Sequence, residues 1–521
     1  MLSILYKWEQ QRQRMGLPTG IGWTQRLMPR PLLIRIIVSF RAVAGGLTSI
    51  GRYCVRVRIH YFINKRSTLP CAISAKVVKQ VSPPPTCIFT PALGKVLDMA
   101  KIALINIDMH GHVNPTLGLV AELRRAGHDV HFFSSEEFRE SVLPTGVTFH
   151  AYPSVIGKAI AATAQIQAVA DTSGTAAPKE LAPLKRGLDE FSATFDSLYR
   201  ELEHLKPDLM IVDFVSLAGR IIADNLKVPQ IKFYTTYASN EHYDLMAASF
   251  AKREPMTLDA LNAAQQIIDT KCTAWGLKSL SLAKSLNTIA DHNLVFLPRA
   301  LQPHGDTFDE RFHFVGPCFL PVSPHEASEL IPQGDGPVLV VSLGSLFHEW
   351  PEFYQSVIAA FRDTDWRVVM SIGRQLKASD LGPIPRNVAI YPHIPQVALL
   401  QHAALFISHG GMNSTMEALS YEVPLVVIPQ IEEQMITADN VVKMGLGMKL
   451  DRPKLTTPAL AEAVATVYES KEIAAKVTAM SEAIHAAGGP RAVLKLVELM
   501  IARPSVTKGD TSQLDEQDVE R

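Results

Sequence analysis

Much of what would place this sequence quickly is missing from it. Five cysteines occur in 521 residues (Cys54, Cys71, Cys87, Cys272 and Cys318) and none forms a CxxC pair. That argues against a disulfide framework or a cysteine zinc site, and fits a cytoplasmic protein with ordinary thiols. No uncharged apolar run reaches the ~18 residues of a membrane-spanning helix. The nearest, "PLLIRIIVSFRAVAGGLTSI" at 31–50, is broken by Arg35 and Arg41, so no integral membrane segment is expected. There is no GxxxxGK[ST] loop and no GxGxxG after a strand, which disfavours NTPases and classical dinucleotide enzymes. Net charge is also lacking, with 51 basic and 51 acidic residues.

The balance hides an asymmetry. Residues 1–98 hold 15 Lys or Arg against Glu9 and Asp98, a net +13, so 99–521 carry −13. An acidic body makes nonspecific nucleic-acid binding a poor default. The basic stretch is read as an N-terminal extension. Its Arg-rich, acid-poor composition is that of a transit or membrane-surface segment. Its helical period is poor, however, "SPPPT" at 82–86 would interrupt a helix, and a clean strand begins just after Met99. An overlong gene model with Met99 as the natural start is the favoured expectation.

A chain of this length predicts more than one domain. From Met99 short apolar runs alternate with amphipathic stretches, the signature of parallel α/β sheets. "KIALINI" (101–107), "DVHFFSS" (129–135), "DLMIVDF" (208–214) and "QIKFYTT" (230–236) read as strands, with helices at 115–127 and 216–226. Pro115 is expected at the start of its helix, where its missing N–H costs nothing. The Pro/Gly-rich run at 312–337 reads as interdomain linker, after which "VLVVSLG" (338–344), "WRVVMSI" (366–372), "LFISHG" (405–410) and "PLVVIP" (424–429) open a second sheet. The expected layout is an extension at 1–98, a first doubly wound domain at 99–315, a linker at 316–336, and a second such domain at 337–485. A helix follows at 486–504 and a disordered charged tail at 505–521. Two such domains turn the carboxyl ends of their strands toward one cleft, where ligands bind.

"LFISHGGMNSTMEALSYEVPLVVIPQIEEQ" (405–434) is the most informative stretch. A strand ending near Ser408 meets a polar elbow, His409 to Asn413, before a helix expected from about Ser414. Gly410 and Gly411 permit a tight turn and close backbone approach. Asn413 or Ser414 could cap the helix, whose amino end favours an anion. His409 could add a hydrogen bond to a phosphate oxygen, and Glu417, one turn on, could accept from ribose hydroxyls. An ordinary βα turn with a capped helix would carry the same glycine pair and cap.

The wider context at 394–434 resembles the donor-binding signature of the UDP-glycosyltransferase family (glycosyltransferase family 1). His, paired Gly, Asn-Ser, Glu, Val-Pro and an acid-Gln pair occur in order. From Met99 to about Pro504 the chain looks like the bacterial macrolide and flavonoid members. The resemblance implies an α/β GT-B fold, two facing Rossmann-like domains with acceptor in the first and nucleotide sugar in the second. It implies that His409, Gly411, Asn413 and Ser414 form the pyrophosphate site, that Glu417 holds the ribose, and that Glu433 and Gln434 hold sugar hydroxyls. Ser345 would also face the phosphates, and Gln396 the base and ribose. Plant members carry Trp where His393 stands, beside the base, and Asp where Glu433 stands. Both departures bear on which sugar nucleotide is used; UDP-glucose is the expected donor.

Sugar transfer to a hydroxyl needs a base. His112, in "INIDMHGHVNP" on the first βα loop, has a side chain that titrates near neutral pH. A carboxylate must then orient the ring and stabilise the imidazolium. Asp213 ends an apolar strand, where a buried acid is costly unless paired; it could instead cap the next helix. The family resemblance selects His112 as base and Asp213 as its partner. His110 could line the cleft but is not given the proton role, and His128 reads as structural.

"DTD" at 363–365 matches a metal motif of another glycosyltransferase architecture but falls in a turn, where Asp and Thr are common. No metal is expected. The acceptor pocket would be built from 151–206 and 237–290, Ala-, Met- and aromatic-containing stretches suited to an apolar small molecule. The expected activity is inverting, metal-independent transfer of a hexose from a UDP-sugar to a hydroxyl of an apolar acceptor, by a monomer or dimer. A nucleotide-sugar epimerase of the same fold and a non-catalytic activator of another transferase are the alternatives.

Overall fold

The computed structural model describes residues 34–42, 53–61, 99–157, 182–245, 248, 258–282, 289–344 and 349–502. Ser345, His348, the tail from 503, most of 1–98 and parts of both acceptor stretches (158–181, 246–247, 249–257 and 283–288) lie outside them. The chain divides into two compact units, 1–91 and 92–521. In the first, β1 (Ile34–Ala42) and β2 (Tyr53–Tyr61) pair antiparallel.

The second unit contains two all-parallel sheets. Seven strands, β3 (Lys101–Ile105), β4 (Asp129–Ser134), β5 (Thr148–Ala151), β6 (Leu209–Asp213), β7 (Gln230–Tyr234), β8 (Asn293–Val295) and β9 (Phe312–Phe314), form one in the order 5-4-3-6-7-8-9. Six, β10 (Val338–Ser342), β11 (Arg367–Ser371), β12 (Val388–Tyr391), β13 (Leu405–Ser408), β14 (Leu425–Val427) and β15 (Gly447–Lys449), form the other in the order 12-11-10-13-14-15. Central strands such as "LMIVD" and "VLVVS" are buried at every position, as strands covered on both faces must be. The strand order reverses beside β3 in the first sheet and beside β10 in the second, and such switch points open crevices at the carboxyl ends of strands.

Three local features differ from the expectations. Phe312–Phe314, read as linker, is the edge strand β9, because "FHF" pairs with Asn293–Val295. Helix α1 runs His110–Arg125, so Pro115 lies inside it, sixth in the helix, rather than at its start. The helix after β13 is Met412–Ser420, with Gly411 as its N-cap and no side-chain cap; Asn413 and Ser414 sit within its first turn.

Apolar faces tie the halves together. Tyr237, Leu301 and Phe308 share a buried cluster with Met412, Leu419 and Ile484. The last helix, Gly489–Ala502, buries Val493, Leu496 and Val497 among Ile102, Val113 and Leu117 of the first sheet and α1. Each Å² of apolar surface buried in these clusters contributes roughly 25 cal/mol to holding the halves together.

Candidate active site

The loop after β3 carries the first half of the site. Asn106 Nδ2 donates to the His112 carbonyl at 3.1 Å and to Thr116 Oγ1 at 3.1 Å, shaping the first turn of α1. His112 faces the neighbouring strand β6, whose last residue is Asp213. His112 Nδ1 lies 2.7 Å from Asp213 Oδ2, with 13% of the imidazole side chain exposed and none of the carboxylate. Asp213 Oδ1 accepts from the Val215 backbone N–H at 2.9 Å, so both oxygens of this buried acid are engaged. Because a carboxylate accepts, the imidazole proton belongs on Nδ1 and the lone pair on Nε2.

Burial by itself drives the His112 pKa down. The Asp213 charge and hydrogen bond, joined by Glu433 and Asp108, outweigh it, and the net shift is upward from 6.5. Phe214 stacks on the imidazole at 5.9 Å and 18°, and Thr235 Oγ1 stands 3.5 Å from Nδ1, too far to compete with Asp213. Neither Phe214 nor Thr235 was foreseen, although Phe214 follows Asp213 directly in "VDF". His110, its ring edge-on to Phe138 at 4.9 Å, has its pKa lowered by burial, against Glu137 and with a further push from His393.

The second half of the site is the elbow after β13. Gly410 has φ +83°, and a Cβ there would strike Val427 Cγ1 at 2.6 Å. The first helical bond of Met412–Ser420 runs from the Thr415 N–H to the Gly411 carbonyl at 3.0 Å. The amides of 412–414 therefore precede any helical acceptor and form an anion-seeking end. His409 packs between two glycines: a Cβ on Gly344 would lie 2.6 Å, and on Gly411 2.4 Å, from its ring atoms. Burial lowers the His409 pKa to about 4, so at neutral pH the ring is uncharged. It can offer a hydrogen bond but cannot neutralise a diphosphate by charge.

Gln396 joins two further elbow residues, its Nε2 lying 3.0 Å from Ser414 Oγ and 2.5 Å from Glu417 Oε2. Burial pushes Glu417 up to about 7, the Gln396 hydrogen bond pulling back. Gln434 Oε1 accepts from the Gln430 N–H at 2.8 Å, while Glu433 is exposed and acts on His112, Tyr237 and Tyr243 through its charge. His393 is exposed after β12. Asn413 does not cap its helix: its Nδ2 donates to the Gly111 carbonyl of α1 at 2.9 Å. Asn440, on the helix Glu432–Lys443, donates to Leu301 O at 2.8 Å and lies 3.1 Å from Tyr237 Oη. Thus two sequence-selected groups, His112–Asp213 and Gln396–Ser414–Glu417, each assemble. The "DTD" turn sits exposed before β11, at the amino edge of the sheet away from both. Among the described residues no group of three or more His, Cys, Asp or Glu could hold a metal ion, and no helix is long and apolar enough to cross a membrane.

Comparison with known proteins agrees with this geometry. The family model described as "Erythromycin biosynthesis protein CIII-like, C-terminal domain" matches residues 355–500. The chain is 38% identical over 408 residues to the NDP-glycosyltransferase YjiC of Bacillus subtilis (strain 168), covering 78% of this chain and 98% of that protein. It is 30% identical over 405 residues to the oleandomycin glycosyltransferase of Streptomyces antibioticus, covering 77% and 90%. Among solved structures, the calicheamicin glycosyltransferase CalG4 superposes with a TM-score of 0.64 at 31% identity, over 77% of this chain and 98% of that one. The glycotransferase of kitacinnamycin gives 0.67 at 28%, over 77% and 99%. With two parallel Rossmann-like sheets whose strand ends carry these groups, the chain is a glycosyltransferase of GT-B fold and belongs to the UDP-glycosyltransferase family, glycosyltransferase family 1.

Proposed function

We propose that this glycosyltransferase moves a hexose from a UDP-sugar, UDP-glucose first among them, to a hydroxyl on an apolar small molecule, with inversion and without a metal. The observation that carries the reading is the 2.7 Å His112–Asp213 pair standing against the donor elbow, with which it shares the Asn413–Gly111 contact. The acceptor O–H proton passes to His112 Nε2. The oxygen's electron pair forms the bond to the anomeric carbon from one face as the bond to the diphosphate oxygen breaks on the other. Asp213 holds the imidazolium that results. The departing charge meets the first-turn amides of Met412, Asn413 and Ser414, aimed before the reaction begins.

On the donor side, Glu417 and Gln396 take the ribose, while Glu433 and Gln434 take the sugar hydroxyls. Glu433 already lies close enough to shift His112 electrostatically, which supports a sugar seated between them. The relatives' names leave the base of the nucleotide open, an NDP-glycosyltransferase among them and a structure complexed with DTDP. His393, at the mouth of the base site, is the position at which uracil and thymine would be told apart. The acceptor is assigned as apolar because Phe214, backed by Tyr234, stacks on His112.

The test supplies the full chain with UDP-glucose or TDP-glucose and a panel of macrolide, flavonoid and phenolic acceptors, following nucleotide release and product mass. A product heavier by one hexose, formed from UDP-glucose and abolished in His112→Ala, supports the reading. Preference for TDP-glucose overturns the UDP assignment alone. Undiminished turnover after exhaustive chelation supports metal independence, and loss restored by a divalent cation overturns it. Nucleotide-sugar isomerisation without an acceptor product supports the epimerase alternative.

A further inference from the structure

Pro115 cannot donate a backbone hydrogen bond, and its ring crowds the carbonyl four residues earlier. That carbonyl is Gly111, in the turn that also bears His112. It accepts instead from Asn413 Nδ2 of the donor elbow at 2.9 Å. No side chain intervenes: a Cβ on Gly111 would already lie 4.0 Å from the same amide nitrogen. The neighbouring carbonyl, His112 O, is held by Asn106 Nδ2 at 3.1 Å, which fixes the turn from below. The base and the elbow are thus joined through one carbonyl that the proline leaves available.

We infer that Pro115 is a positioning residue for transfer, turning the Gly111 carbonyl out of the helix so that Asn413 latches the turn bearing His112 to the donor elbow. The inference rests on the proposed role of His112. It makes a demand that a purely structural proline does not. Pro115→Ala restores the helical N–H but trims a buried ring, so the helix gain and the lost packing oppose each other in stability. The Gly111 carbonyl then swings back along the helix axis, and the latch weakens.

The experiment compares the full chain with Pro115→Ala, Asn413→Ala and the double variant. It reads kcat, donor KM, thermal midpoint and hydrogen exchange of the peptide spanning Gly411–Ser414. A latch predicts that Pro115→Ala lowers kcat roughly three- to tenfold, the worth of about one hydrogen bond, with donor KM within about twofold and faster exchange at the elbow. It also predicts that the double variant is no slower than Asn413→Ala alone. Unchanged kcat and exchange, or losses that simply add, overturn the inference. Should wild type transfer no sugar, the proposed function fails. The exchange measurement still decides the latch, faster elbow exchange in Pro115→Ala upholding it and unchanged exchange overturning it.

Discussion

Two βα junctions face each other across the cleft, one after β3 and one after β13, and they solve different problems with the same piece of topology. The first is a site for side-chain charge: His112 and a fully buried Asp213 at 2.7 Å, with the imidazole pKa raised. The second avoids side-chain charge. Its histidine is neutral, with a pKa of about 4, and Gly344 and Gly411 leave no room beside the ring. In the proposed function, the anion would be left to backbone amides. A proton acceptor must titrate near working pH, whereas a diphosphate site that must also release its product is better served by fixed dipoles than by a full buried charge.

The comparison breaks most sharply at the charged junction. His112→Ala is expected to cut transfer about 10²–10⁴-fold while leaving UDP affinity unchanged by calorimetry. A parallel loss of UDP binding would show that the two junctions are not separable. Asp213→Asn is expected to cost a similar factor and to move the pH profile. If His112 is the base, wild-type kcat/KM should rise with pH as it loses its proton, with an inflection above the ordinary 6.5. Without the carboxylate's charge, burial dominates and the inflection moves down. The stability sign follows: a histidine pKa raised on folding contributes fully below pH 6.5 and loses its contribution as pH climbs through the higher folded value. Thermal midpoints of wild type and Asp213→Asn should therefore converge at alkaline pH; a constant gap would contradict the pairing.

The backbone junction should fail differently. Gly411→Ala places a methyl 2.4 Å from His409 Nε2, and relieving such overpacking costs about 1–3 kcal/mol. UDP affinity should fall roughly tenfold or more, with the inflection of the pH profile unmoved. A shifted inflection would mean that the elbow controls the base through more than position.

How much of this was legible in the sequence differs between the two junctions for a physical reason. Side-chain chemistry is written in residue types. "HGH" followed by "VNP", and an acid closing "LMIVD", made His112 and Asp213 candidates, the family resemblance paired them, and the fold brings them to 2.7 Å across 101 positions. The parallel sheets were legible from buried runs such as "VLVVS". Short edge strands such as "FHF" and "GMK" were not, because three residues carry no period. Helix starts were misplaced at both junctions for one cause. Capping and proline rules describe isolated helices, and here tertiary contacts override them. Gly411 caps Met412–Ser420 without a side chain, and Pro115 is tolerated inside α1 because Asn413 and Asn106 satisfy carbonyls around it. The charge state of His409 was also out of reach, since it depends on the packing of two glycines far apart in sequence.

The smallest expected effect tests whether the backbone junction is free of titrating groups as a whole. Glu417 is the exception within it, buried beside Gln396 Nε2 at 2.5 Å, with its pKa pushed up to about 7. An acid whose pKa rises on folding favours the folded state most when protonated. Its contribution is whole below the unfolded value of 4.5 and is lost as pH rises through about 7. The free enzyme should therefore lose a few degrees of thermal midpoint between those limits, and Glu417→Gln, always neutral, should flatten that part of the curve. Donor binding runs the other way. A ribose hydroxyl donates most strongly to the carboxylate, so UDP affinity should rise a few-fold as pH passes through about 7, and Glu417→Gln should bind weakly and without that rise. If the variant keeps the pH dependence of both quantities, the titrating group lies elsewhere and the donor junction is purely a backbone device. If it loses both, the proposed ribose position doubles as a titrating charge buried in that wall, held neutral until a nucleotide makes ionisation worthwhile.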